Sequence, residues 1–426
     1  MSDFFEILFL RDYGTRITAA GVGLLGLAGG LIGTFLLLRR RALLGDALAH
    51  ATYPGICVAF MLAYAFTGTG KSLPWLLAGA AIAGLLGVFC MLAIRHTSKI
   101  KEDAALGLVL GCFFGLGVVL KGFLQSGDFG DASGIKGFLE GAPAALLRRD
   151  TYLIAGVLTA VVAATLLLYK ELRLLCFDAG YARSQGWSVL LLDVVLMTLV
   201  ALVVIVGLQA VGLVLMIAML VIPPAAARFW SRRLNWLCLI AAGIGLLSGY
   251  LGTVVSTAYA NWPAGASIVL SAAAVFVVSL LFGSERGLIV RAVRRMKFDR
   301  QIEDDNLLRS IYEISEQRGA RSASLDELFS HRGWTRRRLG RIVRRGERES
   351  LVHRDGQQIQ LTGAGLLDAK RIVRNHRLWE QYMLQHADVA ASHVDRGADL
   401  IEHVLGEELV RQLEASVFGE RKGAAS

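Results

Sequence analysis

The sequence predicts an all-α polytopic membrane protein of about nine transmembrane helices, ending in a soluble winged-helix domain and a further helical segment. Three observations carry this. Apolar runs of roughly 20 residues, each long enough to cross a bilayer, recur between Ile17 and Phe282, in a chain that is 54% hydrophobic. The texture changes at Arg286, beyond which about a third of the residues are charged, well above the soluble average. Within that charged part, helical periods and one alternating stretch follow in the order helix, helix, basic helix, hairpin.

The apolar runs place spans at 17–38, 46–67, 73–94, 104–122, 152–170, 189–207, 209–227, 236–258 and 265–283. No small-residue cleavage site follows the first, so it reads as a retained span and not a signal peptide. Arginine and lysine accumulate on the cytoplasmic side of membrane proteins. Here they cluster at Arg39-Arg40-Arg41, Arg95 to Lys101, Lys170 to Arg183, Arg228 to Arg233 and from Arg286 onward, all on one face. The N-terminus is then outside and the charged C-terminal part inside. Lys121, Lys136, Arg148 and Arg149 break this pattern in the long external loop, where a short re-entrant helix would shift the span count by one or two.

Glycines crowd 21–30 and recur at Gly107 and Gly111, as expected where membrane helices approach closely. Pro223-Pro224, late in a span, interrupts helical hydrogen bonding. The five cysteines, Cys57, Cys90, Cys112, Cys176 and Cys238, are scattered singly and form neither a disulfide frame nor a zinc knot. The run from Ala65 through Gly68, Gly70, Lys71 and Ser72 fits a relaxed phosphate-loop pattern. It follows a span instead of a buried strand and runs into Leu73-Pro74, so no nucleotide is expected on this chain.

The most informative stretch is Gly45-Asp-Ala-Leu-Ala-His-Ala-Thr-Tyr-Pro-Gly55. Asp46 and His50, at i and i+4, lie on one helix face. They offer the oxygen and nitrogen ligands that a divalent transition metal accepts. Ionisable groups at membrane depth are costly and mark substrate or ion paths.

Five further segments follow in order: Lys101-Glu-Asp-Ala-Ala-Leu-Gly107, Phe177-Asp-Ala-Gly-Tyr-Ala-Arg-Ser-Gln-Gly186, Gln209-Ala-Val-Gly212, Ile222-Pro-Pro-Ala-Ala-Ala-Arg228 and Pro263-Ala-Gly-Ala266. With the Gly45–Gly55 stretch they resemble the permease subunits of ATP-binding-cassette importers for manganese, zinc and iron. The resemblance covers about the first 283 residues. It implies a transport-path metal site at Asp46 and His50, completed across a dimer by a second permease copy or a sister permease. It further implies a separate ATPase subunit, an extracytoplasmic metal-binding protein, and residence in the plasma (inner) membrane of a prokaryote. The segment from Asp178 would be a coupling helix docking into the ATPase through Asp178, Tyr181, Ala182, Arg183 and Gly186. It departs from the family in carrying Ala-Gly-Tyr where a proline and an acidic residue are usual, and Gln185 in place of a small apolar residue.

In the charged part, Asn306 to Glu313 begins an amphipathic helix, and Ser324-Leu-Asp-Glu327 is a capping box opening a second. The third helix, from Thr335, carries Arg336, Arg337, Arg338, Arg341, Arg344, Arg345 and Arg348. Residues 351–361 alternate around Asp355-Gly356, a hairpin signal. This is a winged helix whose third helix has the footprint of a phosphate contact, to nucleic acid or to anionic lipid. Leu361-Thr-Gly-Ala-Gly365, His376-Arg-Leu-Trp-Glu380 and Ala398-Asp-Leu-Ile-Glu402-His403 resemble iron- and manganese-dependent regulators of the diphtheria-toxin-repressor type. The resemblance implies a helical metal-binding and dimerisation segment with regulatory ligands His376, Glu380, Asp395, Asp399, Glu402 and His403. Asn306 stands where the family has a methionine or an acidic ligand, and Asp395 where a histidine is common.

The expected organisation is a permease domain over 1–285, a cytoplasmic linker over 286–305, a winged helix over 306–362, a helical metal-binding/dimerisation-like segment over 363–417 and a flexible tail over 418–426. The expected function is metal import, Mn²⁺ favoured with Fe²⁺ or Zn²⁺ as alternatives, with a cytoplasmic metal-sensing domain. The alternatives are a membrane-tethered metal-dependent DNA-binding regulator and a permease for a metal chelate.

Overall fold

The computed structural model describes residues 13–41, 43–68, 72–126, 148–259, 262–319 and 322–386. The chain divides into two compact units, Met1–Arg291 and Ala292–Ser426.

Among its described residues the first unit's regular structure is all helical: α1 (Tyr13–Leu38), α2 (Leu44–Thr67), α3 (Leu73–Thr97), α4 (Glu102–Ser126), α5 (Arg148–Leu167), α6 (Tyr169–Phe177), α7 (Ala179–Ser184), α8 (Val189–Val211), α9 (Leu213–Ala227), α10 (Leu234–Ala258) and α11 (Ala264–Phe282). Seven of these, α1 to α4, α8, α10 and α11, are long and apolar enough to cross a membrane. Every expected span has a helix beneath it, but two fall short of a straight crossing. The 152–170 run breaks at Leu168, and α6 leaves α5 at 66°. The 209–227 run breaks at Gly212, leaving a fifteen-residue α9. Gly212 has φ +84°, a backbone region that side chains resist. Its N–H bonds back to Leu208 and its carbonyl accepts from Met216, so it ends one helix and starts the next. Nine apolar runs thus give seven straight spans, or eight with the bent pair. The segment 127–147, where a re-entrant helix was expected, lies outside the described residues.

α1 is the most enclosed of these helices, and its glycines explain why. A Cβ on Gly26 would stand 2.2 Å from the carbonyl oxygen of Gly245 in α10, and one on Gly30 2.3 Å from that of Ala241. Backbones in such contact exclude any side chain, the close approach that small residues permit. Gly107 and Gly111 behave otherwise: nothing in the chain lies within 4 Å of the position a Cβ would take on either. The sequence pattern was the same, but the packing partner is absent from this chain's described residues.

The second unit begins in α12 (Leu288–Arg318) and continues through β1 (Ser322–Ser324), α13 (Leu325–Arg332), α14 (Arg336–Arg348), β2 (Val352–Asp355), β3 (Gln358–Leu361) and α15 (Gly363–His386). The three strands form an antiparallel sheet ordered β1-β3-β2. The capping box is formed: Glu327 N–H donates to Ser324 Oγ at 3.3 Å, and Ser324 N–H to Glu327 Oε2 at 2.9 Å. Gly356, at φ +59°, makes the turn between β2 and β3. Leu307, Ile311, Leu328, Leu339, Ile342, Val352 and Ile359 close one core. This is the helix, helix, basic helix, hairpin order read from the sequence.

Ion pairs fix α14 against α12. Arg345 Nε donates to both Asp304 oxygens at 2.7 and 2.8 Å, and its Nη2 to Glu303 at 3.0 Å. Arg338 Nε reaches Glu303 at 2.8 Å. The two neighbouring acids respond oppositely. Burial alone would raise the Glu303 carboxyl, but hydrogen bonds from Arg345 and Arg338 outweigh it and hold it below its ordinary 4.5. At Asp304 burial dominates, and Arg345 only partly offsets a rise above 3.8.

Two outcomes follow. Gly245→Val drives side-chain carbons into the Gly26 backbone and lowers the thermal midpoint of the detergent-solubilised protein, at a cost of about 1–3 kcal/mol or more, while Gly111→Ala leaves that midpoint unchanged. For the ion pairs, a depressed folded pKa means that Glu303 stabilises fully above 4.5 and loses this as pH falls through the folded value. Asp304 has the reverse sign: its contribution is present below 3.8 and is lost as pH rises through the folded value. Protection of the α14 amides, taken as exchange relative to the intrinsic rate at each pH, therefore carries two opposed slopes: Glu303→Gln removes the part lost on acidification, and Asp304→Asn removes the part lost as pH rises. An unchanged slope in both variants would contradict the assignment.

Candidate functional site

Asp46 sits in the first turn of α2, where the helix dipole favours a carboxylate. His50 follows one turn later, its Nε2 3.3 Å from Asp46 Oδ1. Both side chains are partly accessible, at 21% for His50 and 32% for Asp46. The imidazole meets the Phe114 ring edge-on with centroids 4.9 Å apart. It opens onto a cavity of about 300 Å³ lined also by Tyr53, Phe114, Val118, Lys121 and Leu213. Pro54, inside α2, has no N–H to offer the carbonyl one turn back, which belongs to His50. An oxygen of the ligand residue itself is thereby released from the helical ladder.

A carboxylate and an imidazole one turn apart are two donors of the kind a divalent transition metal accepts, too few for the closed four-ligand cage of a structural site. Among the described residues no group of three or more His, Cys, Asp or Glu side chains is arranged to hold a metal.

The expected coupling segment is α7, six residues long. Asp178 caps it, accepting the Tyr181 N–H at 2.8 Å. Tyr181 and Arg183 are exposed and Ala182 is buried, which gives the helix an inner and an outer face. Gln185, the departure noted in the sequence, donates to the Tyr181 hydroxyl at 3.1 Å and so braces the outer face. Gly186, at φ +84°, ends the segment, with Trp187 N–H returning to the Ala182 carbonyl. Beside it runs a groove of about 730 Å³ whose lining includes Lys170, Arg173 and Arg233.

One constellation escaped the sequence reading. Asp193, in the first turns of α8, is 2% exposed. Arg39 Nη2 donates to its two oxygens at 2.8 and 3.0 Å. Arg41 clasps it with both Nη groups at 3.1 and 3.2 Å, and Arg95 Nη1 reaches it at 3.2 Å. The available signal was an acid inside the apolar run Val189-Leu-Leu-Leu-Asp193, on the same side as two arginine clusters.

In the second unit, His376 is 3% exposed, and its Nδ1 lies 2.9 Å from Arg309 Nη1. Arg309 also pairs with Glu313 at 2.6 Å. The imidazole nitrogen thus already faces a guanidinium, and a metal at that nitrogen has to displace it. Glu380 lies one turn beyond His376 on α15. Asn306 Oδ1 is buried with no donor among the described residues, an orphaned oxygen of the kind a cation satisfies. Asp395, Asp399, Glu402 and His403 lie outside the described residues. The Arg309 guanidinium opposes a cation at His376 Nδ1.

The basic helix is divided. Arg338 and Arg345 are held by Glu303 and Asp304, and Arg336 lies 3.5 Å from Asp326 and over the Phe329 ring. Arg337, Arg341 and Arg344 form the exposed stripe.

Comparison with known proteins finds relatives for both parts of the chain. Residues 362–418 match the metal-binding and dimerisation domain of iron-dependent repressors. The manganese transport system membrane protein MntC of Bacillus subtilis is 37% identical over 389 residues, 91% of this chain and 88% of that protein. The zinc transport system membrane protein TroC of Treponema pallidum is 41% identical over 286 residues, 67% of this chain and 94% of that protein. Among solved structures, PsaBC from Streptococcus pneumoniae in complex with Fab superposes with a TM-score of 0.57 at 28% identity, covering 67% of this chain and 97% of that one. Residues 14–283 match the model of the ABC 3 transport family, and the chain belongs to that family of membrane permeases.

Proposed function

We propose that this chain is the permease subunit of an ATP-binding-cassette importer that carries Mn²⁺, or Fe²⁺ or Zn²⁺, into the cytoplasm. ATP is hydrolysed on a separate subunit, metal is delivered by an extracytoplasmic binding protein, and a second permease copy or a sister permease completes the path. The observation that carries this reading is the Asp46–His50 pair, two candidate ligands 3.3 Å apart, of which His50 opens on a cavity. Their chemistry suits bare ions better than a bulky chelate, and relatives named for manganese and for zinc transport support the substrate class. The carboxylates expected in the tail favour manganese.

The second unit is a cytoplasmic metal sensor that slows uptake when internal metal is high. Its match to a metal-binding repressor domain supports this. The exposed stripe of Arg337, Arg341 and Arg344 meets phosphate. Tethering to a membrane domain favours anionic lipid over DNA as its source, at about 1 kcal/mol for each arginine near the surface.

Radiolabelled Mn²⁺ uptake into proteoliposomes holding the complete transporter tests both parts. Asp46→Ala/His50→Ala lowers uptake at least tenfold while the complex still assembles, and normal uptake by that variant would overturn the path assignment. With Mn²⁺ loaded inside the vesicles, wild type slows, whereas His376→Ala/Glu380→Ala and a chain ending at Gly287 do not. Equal inhibition of all three would remove the sensor role.

A further inference from the structure

The Asp193 cluster joins two parts of the molecule that the proposed function treats separately. Arg39 does more than pair with Asp193: its Nη1 donates to the carbonyl of Leu175 in α6, at 3.2 Å. Leu175 stands four residues before α7 begins. Two further contacts fasten α6 to the end of α1. Cys176 Sγ lies 3.8 Å from the Phe35 carbonyl, and the Tyr169 ring meets Phe35 edge-on. On the other side of the carboxylate, Arg41 forms the start of α2, its carbonyl accepting the Leu44 N–H at 3.0 Å. Asp46 is the next residue but one after Leu44. Between the two arginines, Arg40 is held at φ +59°, a left-handed conformation that a non-glycine residue keeps only when its surroundings impose it.

We infer that Asp193, with Arg39, Arg41 and Arg95, is the transmission between the coupling helix and the metal-bearing turn of α2. It is a set of positioning residues that makes ion movement follow ATP hydrolysis. The chain of contacts is continuous: α7, Leu175, Arg39, Asp193, Arg41, the first turn of α2, Asp46. A displacement of α6 pulls on a guanidinium that shares its carboxylate with the residue opening α2. Because the carboxylate is buried and held by the Arg41 fork and by Arg39 Nη2, it resists local deformation and passes the shift on as a unit. Arg95, one-third exposed, completes the cluster from α3. This inference rests on the permease reading above and on α7 as the ATPase contact.

The test is the number of Mn²⁺ ions imported per ATP hydrolysed, in proteoliposomes holding the whole transporter with its ATPase and binding protein. Asp193→Asn and Arg39→Met lower that ratio at least fivefold while the complex assembles. Asp193→Glu, which keeps a carboxylate, restores it to within twofold of wild type. Arg232→Gln, which breaks an unrelated exposed pair with Glu285, serves as the control and leaves the ratio unchanged. A ratio within twofold of wild type in both Asp193→Asn and Arg39→Met overturns the inference. If Asp193→Asn fails to assemble, Arg39→Met and the more exposed Arg95→Gln decide. If none of the three assembles, the cluster is a folding clamp and the inference is likewise overturned. A wild type that hydrolyses ATP but moves no metal would instead sink the permease reading, a distinguishable result.

Discussion

One carboxylate with three guanidiniums sets the frame of the membrane unit. Asp193 lies in a helix that is otherwise apolar, and an unpaired charge there would be prohibitive. The arginines that neutralise it come from the end of α1, the turn before α2 and the end of α3. Four helices are therefore fixed at one end by electrostatics, while glycine contacts bring α1 against α10 along their length. The two devices differ in kind. Glycine packing depends on shape and tolerates a graded loss. A buried ion cluster behaves as a unit, because removing one member of a buried pair costs about 3–5 kcal/mol by stranding the others.

The pair proposed to pass metal depends on that frame. Asp46 and His50 sit in the first two turns of α2, the part of the helix whose entry is set by Arg41. Pro54 then loosens the same segment by one hydrogen bond. A ligand set that must take up and release an ion needs a rigid approach and a yielding interior, and α2 has both within three turns.

Most of this was legible in the sequence where the signal is local. Apolar runs, the capping box at Ser324, the Asp355-Gly356 turn and the i,i+4 pair at Asp46 and His50 each lie within about two dozen residues, and each has its counterpart in the structure. What escaped is long-range. Nothing near Asp193 announces Arg39, Arg41 or Arg95, which lie 98 to 154 residues away. The division of the basic helix was hidden for the same reason. Arg338 and Arg345 look like phosphate contacts until α12 brings Glu303 and Asp304 beneath them. Span count failed where one backbone conformation, at Gly212 or Leu168, cuts a continuous apolar run.

α12 runs as 31 unbroken residues from close behind the last membrane helix into the core of the winged helix. Joining a regulatory domain to its target in one polypeptide fixes the ratio of the two at unity and holds their mutual concentration on the order of millimolar when the link is short. Such a domain never has to find its permease by diffusion. On the regulatory role proposed above, its response is independent of how many copies a cell makes, and a gene dose that doubles the transporter doubles the brake with it.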